Sequence, residues 1–257
     1  MRTKSEKISL IMTEEHIQSW QDTRERLPVL KLKDRIKNNL FLYYLSNVVL
    51  FPIKHNFYYS KQLFRILSRE DIILNLGSGN KIIDRSIINV DQFKYDNVDI
   101  LGDINCLPIK DDCVDGVINE VTLEHLKNPR RALEEMNRIL KCGGYLCLSV
   151  PFLFYYHESP DDYHRWTKSG IILLLKENNF DIVKFENLGG PVGSFVLITA
   201  QVLAIVFSFN IKSLYHAFSY FFLLVLSPLY LLDNIFSRYS MASNASSIFL
   251  IIAKKIG

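Results

Sequence analysis

The sequence predicts an α/β fold built on a mostly parallel sheet, and three observations predict it. The run Ile72-Ile73-Leu74-Asn75-Leu76 is apolar in four of five residues and passes directly into Gly77-Ser78-Gly79. That is the pattern of a buried strand entering a tight loop where backbone must approach something closely. Further short apolar runs end on acids or amides: Ile87-Ile88-Asn89-Val90-Asp91, Leu101-Gly102-Asp103-Ile104 and Asp115-Gly116-Val117-Ile118-Asn119-Glu120. Lastly, a helical pattern opens at Asn128-Pro129, carries an apolar stripe of Leu133, Met136, Ile139 and Leu140, and yields at Cys142-Gly143-Gly144 to a fifth strand, Tyr145–Pro151. Gly143 is placed to supply the left-handed helix stop.

In chain order, the amino-terminal part reads as helical. Thr13-Glu14-Glu15 opens a polar helix, Pro28 interrupts it, and Asn39–Phe51 is apolar on nearly all sides. At about a dozen residues that element is too short to span a bilayer, which takes about 20; it fits a core helix, a lid or an interfacial segment beside Lys37, Lys54 and His55. The 257 residues suit one domain with an elaboration. A net charge of +3 is too small to imply nucleic acid, although residues 1–70 hold 13 basic against 7 acidic side chains. Such a basic face suits anionic lipid as well as plain solvation. Four cysteines without a C-x-x-C pair or zinc-like histidine spacing read as reduced cytosolic thiols, so no metal is expected. Met1–Lys7 has no apolar core and does not read as a signal peptide.

Two ligand classes use a glycine loop at the carboxyl end of a buried strand, dinucleotides and S-adenosylmethionine. A dinucleotide fingerprint wants a further glycine where Ile82 stands and an acid about 20 residues on, whereas Asp91 comes sooner. The link Asn80–Ser86 is also short for a crossover, so the first crossover helix is expected to shrink to a turn. With Leu123-Glu124-His125-Leu126 and the Cys142-Gly143-Gly144 break in place, the run from Ile72 to Pro151 resembles the class I S-adenosylmethionine-dependent methyltransferases, specifically the small type 11 group. The generic motif has an acid where Asn75 stands and often a glycine where Asn80 stands.

The resemblance implies a Rossmann-like sheet of seven strands, the last antiparallel, and a site residue by residue. Asn75, Gly77, Ser78 and Gly79 would pack main chain against the cofactor. Asp91 would accept from both ribose hydroxyls, with a turn-forming aspartate as the competing reading. Asp103 and Ile104 would bracket the adenine, or form an exposed turn before Asn105. Asn119 and Glu120 would line the cleft beneath the reactive methyl group, or cap the next helix. Glu124 and His125 lie near that cleft, and structural hydrogen bonding and site contact stay equally open for them.

After the fifth strand, Tyr155-Tyr156-His157-Glu158-Ser159-Pro160-Asp161-Asp162-Tyr163-His164-Arg165-Trp166-Thr167 resembles a type 11 segment often associated with saccharide or lipid-linked substrates. A histidine of near-neutral pKa suits removal of an acceptor proton. His157 is the first candidate, followed by His125 and His164, with Arg165 as an acceptor-orienting or loop-fixing cation. Thr167 caps a helix over Ile171–Asn178, and a sixth strand, Asp181–Phe185, follows. The final strand is Ser247–Lys255. Between them, Gly190–Asn210 and Ser213–Leu232 contain no Asp, Glu, Lys or Arg, and each is about 20 residues long. Gly193, Ser194, Thr199, Gln201, His216, Ser219 and Pro228 dilute the apolarity, which favours a hairpin dipping into one leaflet over a spanning pair, a soluble cap or a dimer contact.

The reading is therefore an α/β methyltransferase using S-adenosylmethionine on an oxygen of a small-molecule, saccharide or lipid-linked acceptor, cytoplasmic and associated with a membrane surface. Its parts are an N-terminal helical extension (1–70), a methyltransferase domain (71–189 and 245–257) and an apolar helical insertion (190–244). A non-catalytic, membrane-attached module keeping the cofactor fold as a scaffold is the alternative, with a nucleotide-dependent oxidoreductase behind it.

Overall fold

A computed structural model of the chain describes residues 2–12, 62–157 and 160–257. The expected elements at Thr13–Pro28 and Asn39–Phe51, and the residues Glu158 and Ser159, lie outside the described residues. Seven strands, β1 (Ile73–Leu76), β2 (Ile88–Asp91), β3 (Ile100–Leu101), β4 (Val114–Glu120), β5 (Leu140–Pro151), β6 (Phe180–Asn187) and β7 (Ile248–Lys255), form one sheet. Their order is β3-β2-β1-β4-β5-β7-β6. The first five pair in parallel, and β7 runs antiparallel to both β5 and β6. The seven strands and the reversed last one are as the sequence predicts.

Every residue of β1 and β2 is buried, as the near-continuous apolar runs of a sheet covered on both faces require. Alternation then sorts side chains onto two faces. Leu74, Leu76, Val90, Leu146, Leu148, Phe249 and Ile251 form the larger core, and Ile73, Ile118, Cys147, Leu250 and Ile252 pack on the other side against Leu63. Helices α2 (Pro129–Ile139) and α3 (Lys168–Glu177) cover the larger core with Leu133, Met136, Ile139, Ile171 and Leu175. Asn128 accepts from the Arg131 N–H with Pro129 at the first turn, and Thr167 accepts from Gly170, so both caps fall where the sequence puts them.

Helix α1 (Lys4–Ile11) is held by a Thr3/Glu6 capping box, and buried Lys7 donates to the Arg69 and Asp71 carbonyls at 2.7 and 2.8 Å. Ile11 and Met12 then enter the larger core, where Met12 bridges to Ile109. The link between β1 and β2 contains turns and no helix. One expectation changes. Helix α2 ends because Leu140 turns extended (φ −69°, ψ 136°), and Gly143, with φ +79°, lies four residues past Ile139 inside β5. The stretch Lys141–Gly144 is absorbed as an irregularity in the β4/β5 register, between Val114↔Leu140 and Gly116↔Tyr145, so β5 begins earlier than Tyr145.

The β6–β7 connection holds α4 (Pro191–Phe207), α5 (Lys212–Leu226) and the short α6 (Asp233–Phe236). Asp233 accepts from the Val192 and Gly193 N–H groups at 3.0 and 2.7 Å, so the end of the insertion caps the start of α4. A Cβ on Gly190 would collide with that carboxylate, 2.3 Å away.

An ion pair between buried Glu135 and partly exposed Arg138 ties α2 to the Leu107–Ile109 segment. Arg138 donates two bonds to Glu135 (3.1 and 2.7 Å) and reaches the Ile109 and Leu107 carbonyls, while Glu135 accepts from the Leu107 N–H. Burial alone would raise the Glu135 pKa, but the Arg138 bonds and charge outweigh it and hold the carboxyl below its ordinary value. A depressed carboxyl stabilises the folded state fully above the ordinary value of 4.5 and loses that contribution as pH falls through the folded value. Arg138→Ala is expected to cost about 3 kcal/mol, the lower end for breaking a buried pair because Arg138 is partly exposed. It should also flatten the acid limb of stability, both read from urea unfolding at neutral pH and near pH 4.

Candidate active site

Because β1 sends its chain to β2 on one side and pairs with β4 on the other, strand order reverses between β1 and β4. Their carboxyl ends meet at Leu76↔Asn119, and the buried Asn119 amide donates to the Leu76 carbonyl at 3.1 Å. The crevice beyond this point is where ligands bind in open α/β sheets.

The loop after β1 is shaped by glycine. Gly77 (φ +71°) and Gly79 (φ +53°) are both left-handed; a Cβ on Gly77 would strike the Thr122 side chain, whereas nothing lies within 4 Å of one on Gly79. Gly77 is thus required for packing against the β4 end, and Gly79 faces open space. Asp91, at the end of β2, accepts from the Gly79 N–H (2.7 Å) and the Phe93 N–H (2.8 Å). Burial raises its pKa against these bonds. Each carboxylate oxygen retains acceptor capacity beyond the one backbone bond.

Ser78 is buried, and Asn75 donates to Asn89 at 3.1 Å, joining β1 to β2 beneath the loop. Asp103 accepts from the Asn105 N–H and amide at 2.9 and 3.0 Å in an Asx turn, and Ile104 is buried beside it. Asn119 keeps a buried carbonyl oxygen without a hydrogen-bond partner among the described residues. Lys81 crosses the crevice to Glu120, leaving a cavity of about 160 Å³ lined by Asn75, Gly77, Ser78, Lys81, Glu120 and Val121. Ligand pockets are typically about 300–1,000 Å³, so this cavity is smaller than a usual cofactor site.

Beyond β4 the chain turns through Val121, a β-branched residue at φ +47°, into a 3-10 turn at Leu123–His125. Glu124 is fully buried, and neither carboxylate oxygen has a hydrogen-bond partner among the described residues. Burial pushes its pKa up to about 8. His125 and His157 converge on it. Their Nε2 atoms stand 3.8 and 3.9 Å from Glu124 Oε1, and their rings meet edge to face at 5.0 Å. Each Nδ1 lies against a carbonyl oxygen, Asp161 at 2.5 Å for His125 and Tyr155 at 3.2 Å for His157. Burial lowers the His157 pKa against the raising effect of Asp162. His164 lies apart, its ring tilted against Trp166.

Arg165 spends all five donors inside the loop: the Phe154, Tyr155 and His164 carbonyls, and Asp162 in a bidentate pair. Asp162 in turn accepts from the His157 N–H at 2.8 Å and lies 3.3 Å from its Nδ1. Of the two roles open to Arg165 in the sequence, this is the geometry of a loop-fixing cation. Lys81, Val121 and Thr122 escape sequence reading because nothing local marks a lysine, a left-handed valine or a threonine that must face a glycine 45 residues away.

The fold is that of the class I S-adenosylmethionine-dependent methyltransferases. Residues 82–148 match the model of the type 11 methyltransferase domain. A Haloferax volcanii protein described as a methyltransferase, in complex with a methyltransferase activator, superposes with a TM-score of 0.52 at 16% identity, covering 90% of this chain and 100% of that one. That likeness is one of fold. An uncharacterised protein of transposon TN4556 from Streptomyces fradiae is 27% identical over 89 residues, 35% of this chain and 26% of the relative. The biotin biosynthesis bifunctional protein BioHC of Teredinibacter turnerae is 32% identical over 97 residues, 35% of this chain and 16% of the relative. The chain therefore spans about a quarter or less of these curated relatives. S-adenosylmethionine is the cofactor of the fold, and the residues fit it: Gly79 leaves its backbone open to close approach, Asp91 has acceptor capacity for hydroxyls, and the orphaned Asn119 oxygen can take an N–H donor.

Arg165→Ala would leave Asp162, fully buried, without its counter-charge, and should cost about 3–5 kcal/mol. Arg165→Lys restores charge but not the five-donor fork and should fall between. Urea unfolding checks both. A midpoint equal to wild type in Arg165→Ala would show that the loop does not depend on this pair.

Proposed function

We propose that this chain transfers a methyl group from S-adenosylmethionine to an oxygen of a saccharide or lipid-linked acceptor at a membrane surface. The observation that carries the reading is the meeting, at the switch point, of the Gly77–Gly79 loop, Asp91 and the histidine cluster. The fold and the type 11 family match support the cofactor assignment. Asn75, Gly77, Ser78 and Gly79 hold the methionine and ribose, Asp91 the ribose hydroxyls, Asp103 and Ile104 the adenine, and Asn119 and Glu120 the floor beneath the methyl group. The cofactor supplies an electrophilic methyl group on a sulfonium. The protein holds the acceptor oxygen in line with it and excludes water. As the new oxygen–carbon bond forms and the sulfur–carbon bond breaks, the hydroxyl proton passes to Nε2 of His157, with His125 behind it, while Arg165 fixes the loop that carries His157.

The insertion supports a membrane-facing site. Several of its polar residues are satisfied internally: Gln201 bonds to Ser219 and Tyr215 between α4 and α5, and Ser194 donates to the Ala245 carbonyl. Its outward face carries Phe195, Val202, Val206, Phe209, Phe221 and Val225, all half or more exposed. Polar groups satisfied inside and apolar groups outside is the arrangement lipid selects. The stretch Lys212–Phe236 is long and apolar enough to cross a membrane and is little buried, whereas α4 is shorter. We take the division into 1–70, 71–189 with 245–257, and 190–244 as the functional one, the last part seating the enzyme where a lipid-linked acceptor lies.

Two measurements test this. Calorimetry with S-adenosylhomocysteine should show micromolar-range binding, weakened by about 1.5–3 kcal/mol in Asp91→Ala through loss of a charge-assisted contact; a folded wild type that does not bind would end the enzyme reading. Separately, cell fractionation with a carbonate wash should leave the protein in the membrane pellet, and labelled cofactor should mark a component of a membrane-lipid extract. Recovery in the soluble fraction without detergent would assign the apolar face to a cap or dimer contact and remove the case for a lipid-linked acceptor.

A further inference from the structure

The Glu124 carboxylate and the Nε2 atoms of His125 and His157 face one another beyond the end of β4. Both histidine Nδ1 atoms lie against carbonyl oxygens, so Nδ1 carries the hydrogen in each neutral ring and Nε2 is left as an acceptor. Glu124 offers only oxygens when ionised, and the separations of 3.8 and 3.9 Å exceed hydrogen-bond reach. Its two oxygens are buried and without hydrogen-bond partners among the described residues. Burial without a partner is costly for a carboxylate. The ligand atoms of all three residues fall within 4.8 Å of one another.

We propose that Glu124, His125 and His157 bind one divalent transition-metal ion of the zinc class. Two imidazoles and one carboxylate, with a position left open, are a donor set that holds zinc in catalytic sites. At bond lengths near 2.1 Å, tetrahedral ligand atoms stand about 3.4 Å apart, so the two Glu124–histidine separations of 3.8 and 3.9 Å close with shifts of about half an ångström, and the third, within 4.8 Å, with a rotamer adjustment of up to about 1.4 Å. The support around the ligands is that of a metal site as well. Each histidine is oriented through Nδ1 by a carbonyl; for His157 the Asp162 carboxylate stands at 3.3 Å, and Asp162 is clamped by Arg165. A loaded site would offer its open position to an acceptor hydroxyl, with His157 and His125 as ligands through Nε2; the cation would lower the hydroxyl pKa so that its proton passes to solvent instead of to His157. This task rests on the methyl-transfer reading; occupancy of the site does not. Without a cation, the same cluster is satisfied by a proton on Glu124 or on a histidine, and that is the rival outcome.

The test uses the full chain, stripped with chelator and dialysed. Zn²⁺ is titrated by calorimetry, and Co²⁺ is followed by its visible absorption as a report of nitrogen and oxygen ligation. One ion per chain is expected. His125→Ala and Glu124→Gln should each weaken binding by at least the about 10–100-fold that losing a ligand's supporting partner costs. His216→Ala, an exposed histidine on α5, should keep wild-type affinity. S-adenosylhomocysteine binding on the same samples reports folding and the cofactor site independently. Wild type that binds S-adenosylhomocysteine but takes up no stoichiometric Zn²⁺ or Co²⁺ would overturn the proposal in favour of the proton. Undiminished metal affinity in both folded variants would do the same. Metal uptake lost in those variants, alongside a wild type unable to bind S-adenosylhomocysteine, would leave the cation site standing and remove the methyltransferase reading.

Discussion

The parallel pairing of β1 with β4 is the constraint on which the rest of the molecule depends. Its register sets Leu76 opposite Asn119, and the Asn119 amide ties the two strand ends together. From there, two chains leave on the same side of the sheet, the glycine loop and the Val121–His125 turn, pressed so close that Gly77 has no room for a side chain beside Thr122. Sliding the register by one residue would exchange the two faces of β4, moving Val117 and Ile118 into each other's core. The glycine loop would then lose its packing partner and Glu124 its burial.

Much of the fold is legible in the sequence because its signals are local. Apolar runs with Gly-Ser-Gly, Asn128-Pro129 and Thr167 mark strand ends and caps within a few residues of where they lie. The end of α2 is not, because Gly143 looks like a helix stop in isolation. Its positive φ is instead used in β5, where the pairing with β4 decides the geometry. Propensity yields there to a tertiary register.

The candidate site divides along the same line. Gly77, Gly79 and Asp91 are visible as a spaced series, since each occupies a fixed place at a strand end. The relation among Glu124, His125 and His157 is not visible, because 32 residues separate the histidines and only the β4/β5 pairing brings them together. Sequence spacing gave no reason to expect a metal for that reason: ligand patterns of that kind are recognised when close in the chain. Likewise Gln201 and Ser219 dilute the apolarity of the insertion when counted along the chain, yet they face each other between helices and leave the outer surface more apolar than composition suggests.

The insertion and the active-site loop are physically joined, which bears on why an apolar hairpin sits at this place in the fold. Phe154 and Tyr155 pack against the small core of Leu197, Ala200 and Leu223 at the base of α4 and α5. The carbonyls of these same two residues accept from Arg165, and that of Tyr155 also lies against His157 Nδ1. Movement of the hairpin would therefore be felt first at the residues that aim His157 and clamp Asp162. The loop's polar network is anchored on one side by Glu124, whose backbone carbonyl accepts from the Tyr163 and His164 N–H groups, and on the other by the apolar hairpin. The histidine cluster is thus suspended between the sheet end and the insertion, and the packing of Phe154 and Tyr155 on α4 and α5 helps hold the geometry in which His157 faces Glu124.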